Sequence, residues 1–298
     1  MISVADAFKK FRSRLELTDR EQEDASRRHT EIRNFLKTKF DIKRDFLTGS
    51  YKRWTKTKPL KDVDIFCVLG EKEQYRRNNP PADLLKAFED ALIEKYGNDK
   101  VSRQRRSVTV EFGVKPNNEE DTGGQVMSFD VVPAFDKDKH YEVPDTGNPN
   151  NWTATDPEIH YDEAVKAQDA YNGEWKGIVR MVKKWNANQG KPVKPSFLIE
   201  VMALELLHPP FGGDYRYELK ALLASIADRL DETWKDPAKL GPPVSDSMDH
   251  AARDTAKIKL RAGSDAAARA IHLERQGKNN EALKVWRNEI FGPMFPLS

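Results

Sequence analysis

The chain has 298 residues and 34.1 kDa of mass, and its 38% hydrophobic residues suffice for one large or two modest domains, which excludes global disorder. Its 50 Lys+Arg against 48 Asp+Glu leave a formal charge of +2, so it lacks the overall basicity of a polyanion-coating protein, and any nucleotide or nucleic-acid site must be a local patch. The single cysteine, Cys67, excludes an intramolecular disulfide framework and a Cys-rich zinc site, and points to a reducing, cytoplasmic setting. Residues Met1 to Phe11 lack the basic and long apolar regions of a secretion signal. The longest apolar candidate, Phe197–Leu207, is interrupted by Glu200 and Glu205, so no membrane span is expected.

Val4, Phe8, Phe11 and Leu15 recur at helical spacing, and Thr18 with Glu21 forms a capping-box signature for a second helix carrying Ile32, Phe35 and Leu36. Phe46-Leu47-Thr48 is a short strand candidate closed by Gly49-Ser50. Val63–Leu69 is almost continuously apolar, the pattern of a central strand covered on both faces. Pro80-Pro81 open a helix through Leu84, Leu85, Phe88, Leu92 and Tyr96. Ser107–Phe112, with Val108, Val110 and Phe112 on one face, and Val126–Phe135 form a hairpin around the polar Asn117–Gly124 turn. From about Asp162 the periodicity is helical, through Ile178, Val182 and Trp185, then Phe197, Val201, Leu204 and Leu207, then Leu219 to Leu230. A helix–turn–helix pair around Gly277 ends the chain. The polar stretch Pro144–Pro157 sets a soft boundary between domains 1–160 and 161–298, with the N-terminal helix free to pack across both. Trp175, Trp185 and Trp286 fall at helical apolar positions and read as core, as does Cys67.

Asp62 and Asp64 sit at i and i+2 at the head of the central strand, where the pleat turns both carboxylates to one face. With Val63 between them and no interleaved base, they call for a hard divalent cation such as Mg²⁺ or Mn²⁺, or else form a solvated strand end. Asp130 lies among Ser128, Phe129, Val131 and Val132, where burying a lone carboxylate is costly. It is either a third metal ligand or a structural acid paired with Arg105 or Arg106. Between Asp41 and Lys61, seven Lys/Arg (Lys43, Arg44, Lys52, Arg53, Lys56, Lys58, Lys61) face two acids, a local excess of five positive charges. Gly49-Ser50 within this patch offers close backbone approach, a hydroxyl and amides to a phosphate.

The string Gly49-Ser50-x4-Thr55-x6-Asp62-x-Asp64, with Asp130 following 66 residues later, resembles the active site of the DNA polymerase β-like nucleotidyltransferase superfamily. Val182-Lys183-Lys184-Trp185 and Lys194-Pro195-Ser196-Phe197-Leu198-Ile199-Glu200 are similar to two helices of its oligoadenylate synthase and cyclic GMP-AMP synthase branch. The ending Val285-Trp286-Arg287 through Phe291-Gly292 to Phe295-Pro296 is similar to that of several bacterial members, the CD-NTases. The resemblance runs from about Thr18 to the C-terminus. It implies an α+β, bilobed fold, with a mixed-sheet catalytic lobe and a C-terminal helical lobe that completes the nucleotide pocket.

Carried onto these residues, the resemblance makes Asp62, Asp64 and Asp130 the catalytic acids and the ligands of two Mg²⁺ ions, for which Mn²⁺ can substitute. Gly49, Ser50 and Thr55 would hold the triphosphate, Lys184 and Ser196 would reach its β- and γ-phosphates, and Phe197 would stack on a base where relatives often carry Tyr. Read without the family, Lys184 is a solvated helix position and Phe197 a core residue. The implied activity is condensation of NTPs, ATP among them, into a cyclic di- or trinucleotide of anti-phage (CBASS) signalling, with Asp130 as base. It needs no nucleic-acid template, and CBASS accessory proteins are implied partners. A linear oligonucleotide synthase, an RNA 3′-end transferase and an inactive nucleotide sensor are the competing expectations. No P-loop, G-x-G-x-x-G or H-E-x-x-H is present, and the six histidines are scattered.

Overall fold

The computed structural model describes residues 2–117, 120–148 and 152–298. Parts of the expected 117–124 turn and of the 144–157 linker, residues 118, 119 and 149–151, lie outside the described residues. In chain order the elements are α1 (Val4–Arg14), α2 (Asp19–Leu36), β1 (Ile42–Thr48), the one-turn α3 (Gly49–Lys52), β2 (Val63–Leu69) and α4 (Pro81–Tyr96). Strands β3 (Val101–Arg103), β4 (Val108–Glu111), β5 (Ser128–Lys137), β6 (His140–Pro144) and β7 (Trp152–Thr155) follow. Helices α5 (Pro157–Ala170), α6 (Trp175–Asn188), α7 (Phe197–Leu206), α8 (Tyr215–Arg229), α9 (His250–Arg275) and α10 (Asn279–Val285) complete the chain, with a π-helical turn at Trp286–Phe291.

Residues 17–160 form one compact unit. Its sheet runs β1-β2-β5-β4-β3, with β6 added to β5 and β7 to β6. The β2–β5 pair is parallel and its neighbours are antiparallel, so the sheet is mixed. The unbroken apolar run of β2 has its expected cause in double coverage. Val63, Ile65, Cys67 and Leu69 join Ile32 and Leu36 of α2 and Leu84, Leu85, Phe88 and Leu92 of α4 in one core. Phe66 and Val68, of the opposite phase, pack with Ala134, Tyr141 and Val143. Asp64 and Asp130 share that second phase, at the N-terminal ends of both parallel strands. Helix α2 opens on the full capping box of Thr18 and Glu21.

The second unit joins residues 1–16 to 161–298. The sequence left the N-terminal helix free to pack across both domains; residues 2–16 group with the helices, where the apolar stripe of α1 has its partners. The Phe8 ring meets Trp286 edge-on at 4.8 Å and Phe295 at 5.2 Å, and Phe11 lies 4.5 Å from Phe291. Arg14 also donates to the Met294 carbonyl at 3.0 Å. Trp175, Trp185 and Trp286 are all buried in this core. Helix formation starts at Pro157, earlier than Asp162, because Asp156 accepts from the amides of Glu158 and Ile159 and so caps α5.

Candidate active site

Four strands bring one residue each into a row across the first unit's sheet. Thr48 of β1 pairs with Asp64 of β2, Asp64 stands in register with Asp130 of β5, and Asp130 pairs with Thr109 of β4. The sequence placed Asp64 and Asp130 66 residues apart, and the parallel pairing makes them neighbours. Thr109 Oγ1 donates to Asp130 Oδ1 at 2.5 Å. The Arg105 or Arg106 partnership expected for Asp130 is absent among the described residues, because both guanidiniums pair with the buried Asp145.

Asp62 is placed differently from the sequence expectation. It precedes β2 and adopts φ of 52°, in the left-handed region, so the strand pleat does not set its direction. Ser128 does: its hydroxyl accepts the Asp62 amide at 2.9 Å and donates to Asp62 Oδ1 at 3.1 Å. Lys56 lies 3.9 Å from the Asp62 carboxylate. The loop that leads to Asp62 follows α3, whose first residue, Gly49, has φ of 63°, and a Cβ there would stand 1.7 Å from Asp64 Oδ2. Glycine is required at this position because the turn backbone rests on the carboxylate.

Ser50 is half-buried, and its carbonyl accepts the amides of Thr55 at 3.0 Å and Lys56 at 3.1 Å. Thr55 is fully buried, with its hydroxyl 3.5 Å from that carbonyl. Much of the local positive excess is already paired. Lys43 and Arg44 meet Asp136, Lys58 meets Glu21, and Lys56 faces Asp62.

The electrostatics are those of crowded negative charge. Burial and then the neighbouring Asp130 push the Asp64 carboxyl up to about 7, and Lys56 and Arg53 offset this only in part. Asp130 is raised by burial and by Asp62, against the Thr109 hydrogen bond. A fourth acid joins them: Glu111 of β4 is raised by burial, Asp62 and Asp130. Glu111, Thr109 and Ser128 went unassigned in the sequence. Their signal was the other phase of the alternation that put Val108 and Val110 in the core, and the i−2 spacing of Ser128 from Asp130.

No three Asp, Glu, His or Cys side chains among the described residues converge tightly enough to hold a metal ion as they stand. The donor chemistry nevertheless fits one: the acids are all hard oxygen donors, two stand in register, and their mutual repulsion is what a divalent cation would relieve.

In the helical unit, Lys184 of α6 is 2% exposed, and burial lowers its ammonium to about 8. Its neighbour Lys183 forms a buried ion pair with Glu200 of α7 at 2.5 Å, which spacing did not reveal. Ser196 is exposed at the start of α7, and Phe197 is half-buried against the helical core. Asn186 closes the 187–192 turn by donating to the Val193 carbonyl and accepting its amide, both at 2.9 Å.

Residues 2–168 match the model of the Second Messenger Oligonucleotide or Dinucleotide Synthetase domain. The chain belongs to this family. It is 30% identical over 299 residues to the CBASS oligonucleotide cyclase CdnC of Escherichia coli, a match covering 90% of this chain and 88% of that protein. The cyclic AMP-AMP-AMP synthase of an Acinetobacter species is 25% identical over 298 residues, covering 92% of this chain and 80% of its own. Among solved structures, CdnC of E. coli MS115-1 with ATP superposes with a TM-score of 0.72 at 19% identity, covering 99% of both chains. This CD-NTase is an enzyme with the α+β nucleotidyltransferase fold, and its relatives are cyclic oligonucleotide synthases. No helix among the described residues is long and apolar enough to cross a membrane.

Proposed function

We propose that this CD-NTase condenses NTPs, ATP and a second nucleotide, into a cyclic di- or trinucleotide, releasing pyrophosphate at each step, as a cytoplasmic enzyme of CBASS anti-phage signalling. The observation that carries the reading is the in-register pair Asp64 and Asp130 with the Gly49 backbone against Asp64. That juxtaposition of acids and turn suits a transferase acting on a triphosphate. Asp62, Asp64 and Asp130 would hold two Mg²⁺ ions, with Mn²⁺ able to substitute. Bound there, the metal supplies charge neutralisation for the acceptor oxygen and for the leaving pyrophosphate.

The chain's own residues do the rest. Gly49 and Ser50 bind the triphosphate through amides and hydroxyl, and Thr55 closes that turn on the Ser50 carbonyl. A 3′- or 2′-hydroxyl oxygen attacks the α-phosphorus, the bond to the β-phosphate oxygen breaks, and the hydroxyl proton passes to Asp130, whose orientation Thr109 fixes. Ser128 holds Asp62 in place. By the resemblance of their motifs, Lys184 and Ser196 serve the β- and γ-phosphates and Phe197 a base. Cyclisation repeats the same step within the linear intermediate, and accessory CBASS proteins are the proposed partners.

Purified protein incubated with Mg²⁺ and α-³²P-labelled ATP, GTP, CTP and UTP tests this. A phosphatase-resistant product that disappears in Asp62→Ala/Asp64→Ala is expected. Phosphatase-sensitive linear product alone, or label appearing only on added RNA, would overturn the cyclic assignment.

A further inference from the structure

Glu21 is the third residue of the box that caps α2. Its Oε2 accepts from the Thr18 amide at 2.7 Å and from the Thr18 hydroxyl at 3.0 Å, while Thr18 Oγ1 accepts the Glu21 amide at 3.3 Å. A helix cap asks for nothing more, and glutamine serves it as well as glutamate. Yet the same oxygen receives the Lys58 ammonium at 3.0 Å, and the two side chains are only 4% and 12% exposed. A buried charge pair is weak evidence of stability gained, because desolvation opposes the attraction. Its location supplies another reason for it.

Lys58 lies in the 53–62 loop that joins the Gly49-Ser50 turn to Asp62. Tyr51, inside α3, has its phenol raised by burial and by the Glu21 charge, so Glu21 is close to the turn as well as to the loop. One carboxylate thus holds the start of α2 and the side chain of the connecting loop, and its charge is felt at Tyr51 of α3. The loop's far end is Asp62, whose left-handed backbone makes its placement depend on what holds the preceding residues.

We propose that Glu21 is a positioning residue of the nucleotidyl-transfer site, its charge holding through Lys58 the loop that presents Asp62. The proposal rests on the reading of Asp62 as a working acid of that site. The cap and the clamp separate by substitution. Glu21→Gln keeps an acceptor for the Thr18 amide and removes the charge from Lys58. Thr18→Ala removes the hydroxyl but leaves the Thr18 amide donating to Glu21.

The experiment compares Glu21→Gln, Lys58→Met, their double variant and Thr18→Ala in the full chain. Turnover, melting temperature and acrylamide quenching of tryptophan are measured, the last reporting on the loop because Trp54 within it is 43% exposed. Glu21→Gln and Lys58→Met should lower kcat roughly tenfold with KM for NTP within about twofold of the parent, since small misplacements of a catalytic group act on the chemical step. The double variant should be no worse than the poorer single one, because the pair acts as a unit. Both single variants should raise Trp54 quenching. Thr18→Ala should lower the melting temperature and leave kcat and quenching unchanged. Parental kcat and quenching in Glu21→Gln, or an equal kcat loss in Thr18→Ala, would overturn the positioning role. If the parent protein makes no product the nucleotidyl-transfer reading fails instead, and quenching still decides whether the Glu21 charge holds the loop.

Discussion

The Gly49 backbone rests directly on the Asp64 carboxylate, with 1.7 Å between a hypothetical Cβ and Asp64 Oδ2. Gly49→Ala must therefore displace Asp64 or the turn, and it also forces a side chain into a left-handed conformation. Backbone strain of that kind costs about 1–2 kcal/mol before any clash. The expected result is a destabilisation of at least that size in urea melts, together with a loss of turnover of more than about 100-fold. A fully active Gly49→Ala protein would show that the turn does not need its contact with Asp64.

Asp64 and Asp130 stand in register as two like charges with incomplete compensation. Asp64→Asn removes the repulsion while keeping the shape. In metal-free buffer the variant should melt at a higher temperature than the parent, by the few degrees that about 1 kcal/mol gives a chain of this size. Added Mg²⁺ should stabilise the parent and leave the variant unmoved, and turnover should vanish. Equal Mg²⁺ stabilisation of both proteins would remove Asp64 from the metal site.

Lys184 titrates near 8 in the folded protein against an ordinary 10.5. A lysine whose folded value is depressed is held charged at a cost below pH 8. The unfolded chain binds more protons between about 8 and 10.5, so this residue makes stability rise with pH across that window. Lys184→Met should abolish the rise and stabilise the protein at pH 7, by an amount on the order of 3 kcal/mol. If Lys184 serves phosphate, KM for NTP should climb above pH 8 in the parent and stay level in Lys184→Arg. A parent KM independent of pH would remove Lys184 from phosphate binding.

Asp145 is fully buried and accepts from Arg105, Arg106, Thr153 and the Gly147 amide. Burial raises its carboxyl, but the arginine and threonine hydrogen bonds outweigh this and hold it down at about 2. A depressed carboxylate stabilises the fold above its ordinary 3.8, and that contribution is lost as pH falls toward 2. Asp145→Asn should cost roughly 1–3 kcal/mol at pH 7 and progressively less in acid, read from urea melts at both ends of the range. A cost that does not shrink in acid would assign the loss to packing rather than to charge.

The central strand, the capping box, the hairpin and the tryptophan core were legible in the sequence because each follows from local periodicity or a short motif. Pairing between distant segments was not. Their apolar runs show that β2 and β5 are strands but not that they run parallel, and that pairing is what joins Asp64 to Asp130. The α1 stripe announces a buried face without naming its partner, so the sequence leaves open which unit the helix joins. The two-residue period of a strand does not reach Asp62, which lies one residue before β2 with a left-handed backbone.

Lys183 and Glu200 hold α6 to α7 through an ion pair whose side chains are 6% and 2% exposed. Neither charge can be rehydrated if its partner is removed, so Glu200→Gln should cost about 3–5 kcal/mol. Replacing both, as in Lys183→Met/Glu200→Leu, exchanges desolvated charges for apolar packing and should recover most of that loss. The pair adjoins Lys184 in sequence, so the double variant also tests a functional use of the motif. Restored stability with unchanged turnover would make the pair purely architectural, whereas restored stability with lost turnover would show that it orients Lys184. A double variant as unstable as the single one would mean that the glutamate has a further obligatory partner.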